Sequence, residues 1–435
     1  MHMAKDEVED QGLRNKWVRN EGSLGIFGAR TGCPPHHRGG LCVHLPDEPA
    51  ACFLHSIMLP SPIPMSLLRY TLLVLGILAL RASAQTVACG AYHGLVLCTD
   101  GNVMAWGENT NGNVGTGTFE SPVLSPVVVQ TAAVGEVVQL AAGLSTSYAV
   151  NDAGEVWAWG VGNYGQLGNG GTTAEPLPVQ VAPLSGTVVQ VSAGNHFAIA
   201  LKNDGTLWSW GYNQFGMLGD NTLTQRLAPV AVSNTYGGGI AAISSGAQHT
   251  LALKNDSSVW AWGRSEYGQV GIGGWTTLDE PTPCNGMGDS VVAIAAGSFH
   301  SLALKSDGTV WAWGRNSAGQ LGVGSYWDTS TPTPLQVIGL SDVVRIAAVG
   351  STSFAMKADG SVWSWGLNND GLLTMDTGEA FNPTPLQVTA LGEFPLIYNG
   401  GVGFHALAIA ANGDLLSWGY RLYGCLLYTS PSPRD

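Results

Sequence analysis

The chain has 435 residues, of which 45% are hydrophobic and 11% are charged, and it contains 60 glycines and 15 tryptophans. Eighteen Lys and Arg stand against 31 Asp and Glu, which gives a net charge of −13. Affinity for nucleic acids comes largely from cationic side chains that neutralise phosphates, so this acid excess argues against a nucleic-acid partner. It argues equally against adsorption to an anionic membrane surface.

The first 84 residues divide into two segments. Residues 1–64 have mixed charge and no apolar period, and we interpret them as a wrongly assigned upstream leader, with a disordered tail as the alternative. Residues 65–84 combine a single basic residue before a short apolar stretch, Arg69, with the exit Ala82-Ser83-Ala84, which follows Arg81. This is typical of a secretory signal peptide, here cleaved before Gln85.

The apolar stretch is shorter than the roughly 20 residues that a membrane-spanning helix needs. We therefore expect a secreted or cell-surface protein that begins at Met65 and has no membrane span in the mature chain. An uncleaved signal anchor is the alternative.

Residues 85–424 repeat an aromatic strand that ends in Trp-Gly, with a nearly constant period of about 51 residues. The repeated tryptophans are Trp106, Trp159, Trp210, Trp262, Trp313, Trp365 and Trp418. Short alternating apolar runs, bounded by Gly, Asn, Asp or Pro, predict β-strands. Pairs such as Asp204-Gly205 favour tight hairpins. The pattern predicts four short strands per repeat, with the tryptophans in the core of an all-β fold.

After each Trp-Gly the repeats continue towards Gly-Gln-Leu-Gly, most clearly at residues 319–322. Together, Trp-x-Trp-Gly and Gly-Gln-Leu-Gly resemble the repeat of the regulator of chromosome condensation family, from about Thr86 to Gly424. The resemblance implies a seven-bladed β-propeller. Closure into a ring also leaves only short, protected strand edges.

The seventh repeat leaves the pattern at Cys425, where Gln-Leu-Gly is expected. Residues 425–435 resemble the translation of a sequencing adapter, and we exclude them from the fold as a library scar. The seventh blade is therefore expected to be truncated.

Cys89 and Cys98 lie on consecutive strands of the first repeat. In an oxidising compartment they could form a disulfide; the alternative is two small apolar residues in a strand pair.

Four repeats place a histidine at the equivalent position, two or three residues after a turn glycine: His93, His249, His300 and His405. Histidines from separate blades of a wide ring would not converge on one metal ion. We interpret them as side chains that bond the backbone of their own blade.

Other motifs carry little chemistry. Residues 160–165 spell G-x-G-x-x-G, but a turn follows where a dinucleotide site needs a helix. No nucleophile–base set recurs, so we expect no catalytic, cofactor or metal site. Asn255-Asp256-Ser257 is an Asn-x-Ser sequon at a hairpin position, either a glycosylation acceptor or a turn variant.

The variable loops after each Gly-Gln-Leu-Gly segment present large apolar side chains at equivalent places. These are Phe119, Leu223, Trp275, Tyr326 and Trp327. Repeat symmetry puts the loops on one side of the disc, where aromatic residues suit a protein interface. The alternative is that each ring folds down onto the neighbouring blade.

The sequence thus predicts a monomeric, secreted or cell-surface propeller that binds a protein partner without catalysis. The family resemblance offers a precedent in a secreted bacterial β-lactamase inhibitor protein built on the same repeat. It also implies an alternative, guanine-nucleotide exchange on a Ran-like small GTPase, against which the signal peptide and the acid excess argue. A third reading is the repeat region of a larger surface-anchored protein whose C-terminal sorting domain is missing.

Overall fold

The computed structural model of the chain describes residues 87–420 and 426, apart from 183, 185–186, 289, 326–329, 369–370, 374–378, 389–395, 398–400 and 410–414. The expected leader and signal peptide lie outside the described residues, as does all of the adapter segment except Leu426.

The described chain is built from antiparallel sheets whose strands follow one another in sequence. The first three sheets contain β1 (Val87–Cys89), β2 (His93–Leu97), β3 (Val103–Gly107) and β4 (Val123–Val128); β5 (Val137–Ala142), β6 (Thr146–Asn151), β7 (Val156–Gly160) and β8 (Glu175–Gln180); and β9 (Val188–Ala193), β10 (Phe197–Lys202), β11 (Leu207–Gly211) and β12 (Arg226–Ala231).

The remaining sheets repeat this order. They contain β13 (Ile240–Ser245), β14 (His249–Lys254), β15 (Val259–Gly263) and β16 (Leu278–Pro283); β17 (Val291–Ala296), β18 (His300–Lys305), β19 (Val310–Gly314) and β20 (Thr331–Gln336); β21 (Val343–Val349), β22 (Thr352–Lys357), β23 (Val362–Leu367) and β24 (Phe381–Gln387); and β25 (Leu396–Ile397), β26 (His405–Ile409) and β27 (Leu415–Gly419). A short 3-10 helix spans Asn234–Tyr236. Among the described residues, no helix has the length and apolar character needed to cross a membrane.

The all-β propeller with four-stranded blades is confirmed, but the number of blades is not. The described residues form six four-stranded blades, and the seventh repeat forms only the three-stranded sheet β25–β27. The expectation of seven blades is corrected to six, because the chain departs from the repeat at Cys425, before the outer strand of the seventh repeat. The three-stranded sheet still packs on both neighbours, since Trp418 shares a cluster with Phe354 and Leu407 shares one with Trp106.

One tryptophan closes each described joint between consecutive sheets. The indole N–H of Trp313 donates to the backbone carbonyl of Gln269 in the preceding blade at 2.9 Å. Equivalent bonds of 2.9–3.0 Å run from Trp159 to Asn113, Trp210 to Gln166, Trp262 to Met217, Trp365 to Gln320 and Trp418 to Leu372. Trp418 is 9% exposed and the other five rings are fully buried. Each ring therefore fills a joint while its one polar atom makes a hydrogen bond.

The last glycine of Gly-Gln-Leu-Gly belongs to the same contact. A Cβ built at Gly322 would lie 2.7 Å from Nε1 of Trp365 in the next blade. Its φ of +67° also lies in the left-handed region that favours glycine. Trp-Gly in one repeat and Gly-Gln-Leu-Gly in the repeat before it are therefore the two halves of one joint.

The two ends of each sheet define two faces. Gly107, the last residue of β3, pairs with His93, the first residue of β2, and with Val123, the first of β4. The turns before the second strands and the loops before the fourth strands therefore lie at one end, which we call the loop face. The hairpins between second and third strands lie at the other end, the hairpin face. Because all joints use equivalent residues, the loop ends of all sheets lie on one side.

The disulfide between Cys89 and Cys98 is not formed. Cys89 pairs in register with Gly94, whereas Cys98 follows the end of β2. Cys98 is four residues beyond Gly94, a distance of about 13 Å along an extended strand, and therefore lies too far from Cys89 for a disulfide. The buried Sγ of Cys89 instead donates to the carbonyl of His405 at 3.0 Å.

The indole contact predicts a position-specific loss of stability. Changing Trp313 to Phe should lower the free energy of unfolding by about 2 kcal/mol, because it removes a buried hydrogen bond and leaves a cavity. Trp311 is the matched control: its half-buried ring sits on the same strand and its indole bonds only to the Thr309 hydroxyl, at 3.3 Å. Trp311→Phe should cost less than about 0.5 kcal/mol. Urea unfolding midpoints of the two variants check this, and equal losses would contradict it.

Candidate protein-binding face

Two positions on the loop face are joined by a backbone hydrogen bond in every repeat. The N–H of the residue after Trp-Gly donates to the carbonyl of the residue before the second strand, as from Arg315 to Phe299 at 2.8 Å. The other donor–acceptor pairs, at 2.8–3.0 Å, are Glu108–Tyr92, Val161–Ser145, Tyr212–His196, Arg264–Gln248, Leu367–Ser351 and Tyr420–Phe404. This frame sets two variable side chains next to each other in each repeat.

Aromatic side chains fill part of this frame. Tyr164 lies 4.9 Å from His196 and 5.0 Å from Tyr212, ring centre to ring centre. All three are half-buried, and burial lowers the pKa of His196, which keeps this ring neutral at neutral pH. A second cluster stacks Tyr92 on Phe404 at 5.4 Å, across the junction of the first and last repeats.

Two arginines extend this aromatic surface over the fourth and fifth blades. The guanidinium of Arg315 lies 4.9 Å from the ring centre of Tyr267 and 5.9 Å from that of Phe299. Arg264 lies over Phe215 at 4.6 Å. Stacking on rings holds each planar guanidinium in place without consuming its in-plane donors.

The cations on the loop face differ in their partners. Arg226 forms an ion pair with Asp220 at 2.7 Å, and Arg264 pairs with Glu266. Arg315 has no carboxylate within 4.0 Å among the residues that the structure describes, and its Nε donates to the hydroxyl of Ser317 at 2.9 Å. Its terminal nitrogens can therefore bind a carboxylate from a partner.

Three of the residues expected in the variable loops also lie on this face. Phe119, Leu223 and Trp275 are 51%, 58% and 51% exposed, so their side chains stand in solvent rather than under a neighbouring blade. Tyr326 and Trp327 lie outside the described residues. Sequence reasoning missed Tyr164, Tyr267 and Arg315. The signal was available, because aligning the repeats on Trp-Gly marks these flanking positions as variable.

The repeat histidines were interpreted wrongly. Instead of bonding its own blade, the Nε2 of His300 lies 2.9 Å from the Ser353 hydroxyl in the next blade. His93 meets Ser147 at 2.9 Å and His249 meets Ser301 at 3.0 Å in the same way. The reason is steric: the side chain lies over the preceding turn glycine, where a Cβ at Gly297 would come within 2.1 Å of the His300 ring, and it extends from there into the joint.

Burial sets the charge state of these rings. It lowers the pKa of His93, His249 and His300 to about 3 and that of His405 to about 4. They are neutral at neutral pH. No group of three metal-ligating side chains is present within the described ranges.

A cavity of about 190 Å³ lies between the inner strands, lined by small residues such as Ala142, Ser192 and Ala242. Sites for drug-sized ligands usually have about 300–1,000 Å³. The cavity is therefore a poor candidate for such a ligand, and the loop face is the stronger candidate site.

Comparison with protein families gives a match to the RCC1-like domain over residues 73–401. The chain belongs to this family. Among curated relatives, this RCC1-like protein is 33% identical over 263 residues to the ultraviolet-B receptor UVR8 of Arabidopsis thaliana, covering 59% of the chain and 58% of UVR8. It is 31% identical over 330 residues to the mitochondrial RCC1 domain-containing protein RUG3 of the same plant, covering 71% and 70%.

Human HERC2, an E3 ubiquitin-protein ligase, is 34% identical over 273 residues, covering 62% of the chain and 6% of HERC2. The chain thus spans a small part of HERC2 and less than two thirds of UVR8. Among solved structures, yeast RCC1 (Prp20) bound to Kap60 superposes with a TM-score of 0.65 at 25% identity, covering 73% of this chain and 78% of that one. Human WBSCR16, at 24% identity and the same TM-score, shares the fold. These human, plant and yeast relatives give no support to a secreted bacterial type, which the β-lactamase inhibitor precedent suggests.

The joint histidines predict a specific sensitivity to acid. Below pH 6.5 the unfolded chain takes up protons on histidines that the folded chain keeps neutral down to about pH 3, so stability falls as pH drops through this window. The double variant His300→Thr with Ser353→Ala copies the pair that Thr352 and Ala406 place at the next joint. Between about pH 7 and pH 5, the free energy of unfolding should fall less in this variant than in the unmodified protein. The difference should be up to roughly 1.4 kcal/mol per pH unit.

Urea unfolding at both pH values measures this difference. The single variant Ser353→Ala retains His300 and serves as the control, with an unchanged pH dependence. Equal pH dependence in the double variant and the unmodified protein would contradict the assignment.

Proposed function

We propose that this protein is a secreted or cell-surface propeller without catalytic activity, which binds a protein partner through its loop face. The observation that carries the proposal is the surface formed by Arg264, Arg315 and their aromatic neighbours, with Trp275 exposed in a loop of the same blades. Arg, Tyr and Trp are the residue types enriched at the energetic centres of protein interfaces. Rigid, partly buried rings also lose little conformational entropy on binding.

The chemistry of this surface describes the part of the partner that fits it. Arg315 offers donors to a carboxylate, and stacking on Tyr267 and Phe299 fixes the direction of those donors. Trp275 offers a large exposed apolar surface on the same face. The partner segment that fits carries an acidic side chain next to an apolar one. Because the chain as a whole is acidic, this recognition is local and does not follow from net charge.

The location of the protein is part of the same proposal. Residues 65–84 have the order of a secretory signal peptide, and we place the mature N-terminus at Gln85. Residues 1–64 are then not part of the mature protein, and residues 425–435 are foreign to it.

Guanine-nucleotide exchange on a Ran-like GTPase is the second candidate. Its support is the similarity to yeast RCC1 (Prp20), a protein whose solved structure was described together with its binding to Gsp1p and histones. A third candidate is the propeller region of a larger surface protein, which suits a chain that matches only a small part of HERC2. A purified Ran-like GTPase tests the second candidate, because accelerated nucleotide release would favour it over the first.

Loop-face binding predicts a difference between the two faces. The amount of partner protein captured from the medium or cell surface of the source organism should fall at least about tenfold for Arg315→Ala and for Trp275→Ala. The reason is that central interface residues each contribute about 2 kcal/mol or more. Lys305→Ala is the control: its ammonium lies 4.1 Å from the ring centre of Trp311 at the hairpin end of the fifth blade. It should capture the same proteins as the unmodified chain. Unchanged capture by both loop-face variants would contradict the proposal.

The proposed signal peptide predicts the mature N-terminus. Sequencing of the protein recovered from the medium should begin at Gln85, because the Ala-Ser-Ala exit directs cleavage after Ala84. Peptides from residues 1–64 in that secreted material would contradict it.

A further inference from the structure

One turn on the hairpin face differs from its counterparts. In the other described repeats the turn between the second and third strands has a glycine with φ between +77° and +85°: Gly101, Gly154, Gly205, Gly308 and Gly360. In the fourth blade Ser257 takes this place with φ +66°. The turn is otherwise the same, since the N–H of Ser257 donates to the carbonyl of Lys254 at 3.0 Å, as Gly205 donates to Lys202 at 2.9 Å.

A serine at this position is strained. Left-handed backbone brings a side chain too close to the following carbonyl, and only glycine, and to a lesser degree Asn and Asp, adopt it readily. The other described non-glycine residues with positive φ are Asn221 and Asp342, which are of the tolerant types. Within the described structure the Ser257 hydroxyl makes no hydrogen bond that would offset the strain.

What Ser257 supplies is a chemical motif. It completes Asn255-Asp256-Ser257, whereas the neighbouring blade has Asn203-Asp204-Gly205 in the same turn and no acceptor sequence. Asn255 is exposed at the turn, and its backbone N–H is held by the carbonyl of Gly239 at 2.8 Å. Its side-chain amide makes no hydrogen bond among the described residues.

We propose that Asn255 is an N-glycosylation site, and that the strained serine is retained because it makes Asn255 an acceptor. The donor class is a lipid-linked oligosaccharide. The amide Nδ2 of Asn255 forms a bond to the anomeric carbon, the bond from that carbon to the lipid diphosphate breaks, and the amide loses one proton as the lipid diphosphate leaves. The inference rests on the proposed secretion, because such transfer takes place in the secretory pathway.

The position fits the proposed binding face. Asn255 lies at the hairpin end of the fourth blade, while Arg264 and Trp275 lie at the loop end of the same blade. A bulky glycan at Asn255 therefore covers the opposite side of the ring and leaves the loop face accessible.

The test uses the chain from Met65, the start that we propose, in a eukaryotic secretory cell line, once with its own residues 65–84 and once with a proven cleavable leader in their place. Secreted protein should carry one N-glycan, seen as a mobility shift that peptide-N-glycosidase removes. The shift should be absent in Asn255→Gln and in Ser257→Gly, and present in Ser257→Thr. Gly205→Ser creates the same tripeptide at Asn203 and should add a second glycan.

Two outcomes separate this inference from the proposed function. Leader-driven secreted protein without a glycan at Asn255 overturns the inference and leaves loop-face binding untouched. In the other outcome, the chain with only its own residues 65–84 stays in the cell, while the leader-driven chain is secreted and glycosylated at Asn255. That result contradicts the proposed secretion and supports the acceptor site. Thermal unfolding adds a second readout: Ser257→Gly should have a higher Tm than Asn255→Gln, both without glycan, and an equal or lower Tm would overturn the strain argument.

Discussion

The hydrogen bond from a buried tryptophan indole to a backbone carbonyl of the preceding blade is the contact on which this fold depends. It recurs at each described joint, from Trp159 to Trp418, at nearly the same distance. The ring fills the joint, its polar atom is satisfied, and the glycine beneath it has no room for a side chain. Trp-Gly of one repeat and Gly-Gln-Leu-Gly of the repeat before it therefore meet in space, although they are far apart in the chain.

A ring held in this way separates structural from variable positions. The joints require Trp, Gly and, at three of them, a His–Ser pair, so these positions cannot carry recognition without loss of packing. The residues before each second strand and after each Trp-Gly are joined in every repeat by a backbone hydrogen bond, which any residue type other than proline can donate. Phe299 and Arg315 occupy such positions. The fold thus presents variable side chains on one rigid face, which suits a binding protein whose specificity changes without a change of fold.

Much of this architecture could be predicted from the repeat, because strand alternation and the spacing of Trp106 to Trp418 are local patterns. Contacts between repeats could not be predicted. The pattern does not say whether His300 bonds its own blade or the next, and only the packed joint shows that Ser353 is its partner. The stacking of Arg315 on Tyr267 likewise joins residues of two repeats. The register of β1 and β2, which separates Cys89 from Cys98, depends on turn length. The incomplete last sheet, in contrast, was visible in the sequence as the departure from the repeat at Cys425.

Hydrogen exchange of the tryptophan indoles, followed by NMR on protein with 15N-labelled tryptophan, tests the central contact most directly. We expect strong protection for the indole N–H groups that lie in the joints, which are those of Trp159, Trp210, Trp262, Trp313, Trp365 and Trp418. We expect fast exchange for Trp260, Trp311 and Trp363, whose rings are half-buried and whose indole N–H groups donate to hydroxyl groups in the adjoining turns. Similar exchange rates for the two groups would contradict the claim that the indole bonds hold the blades together.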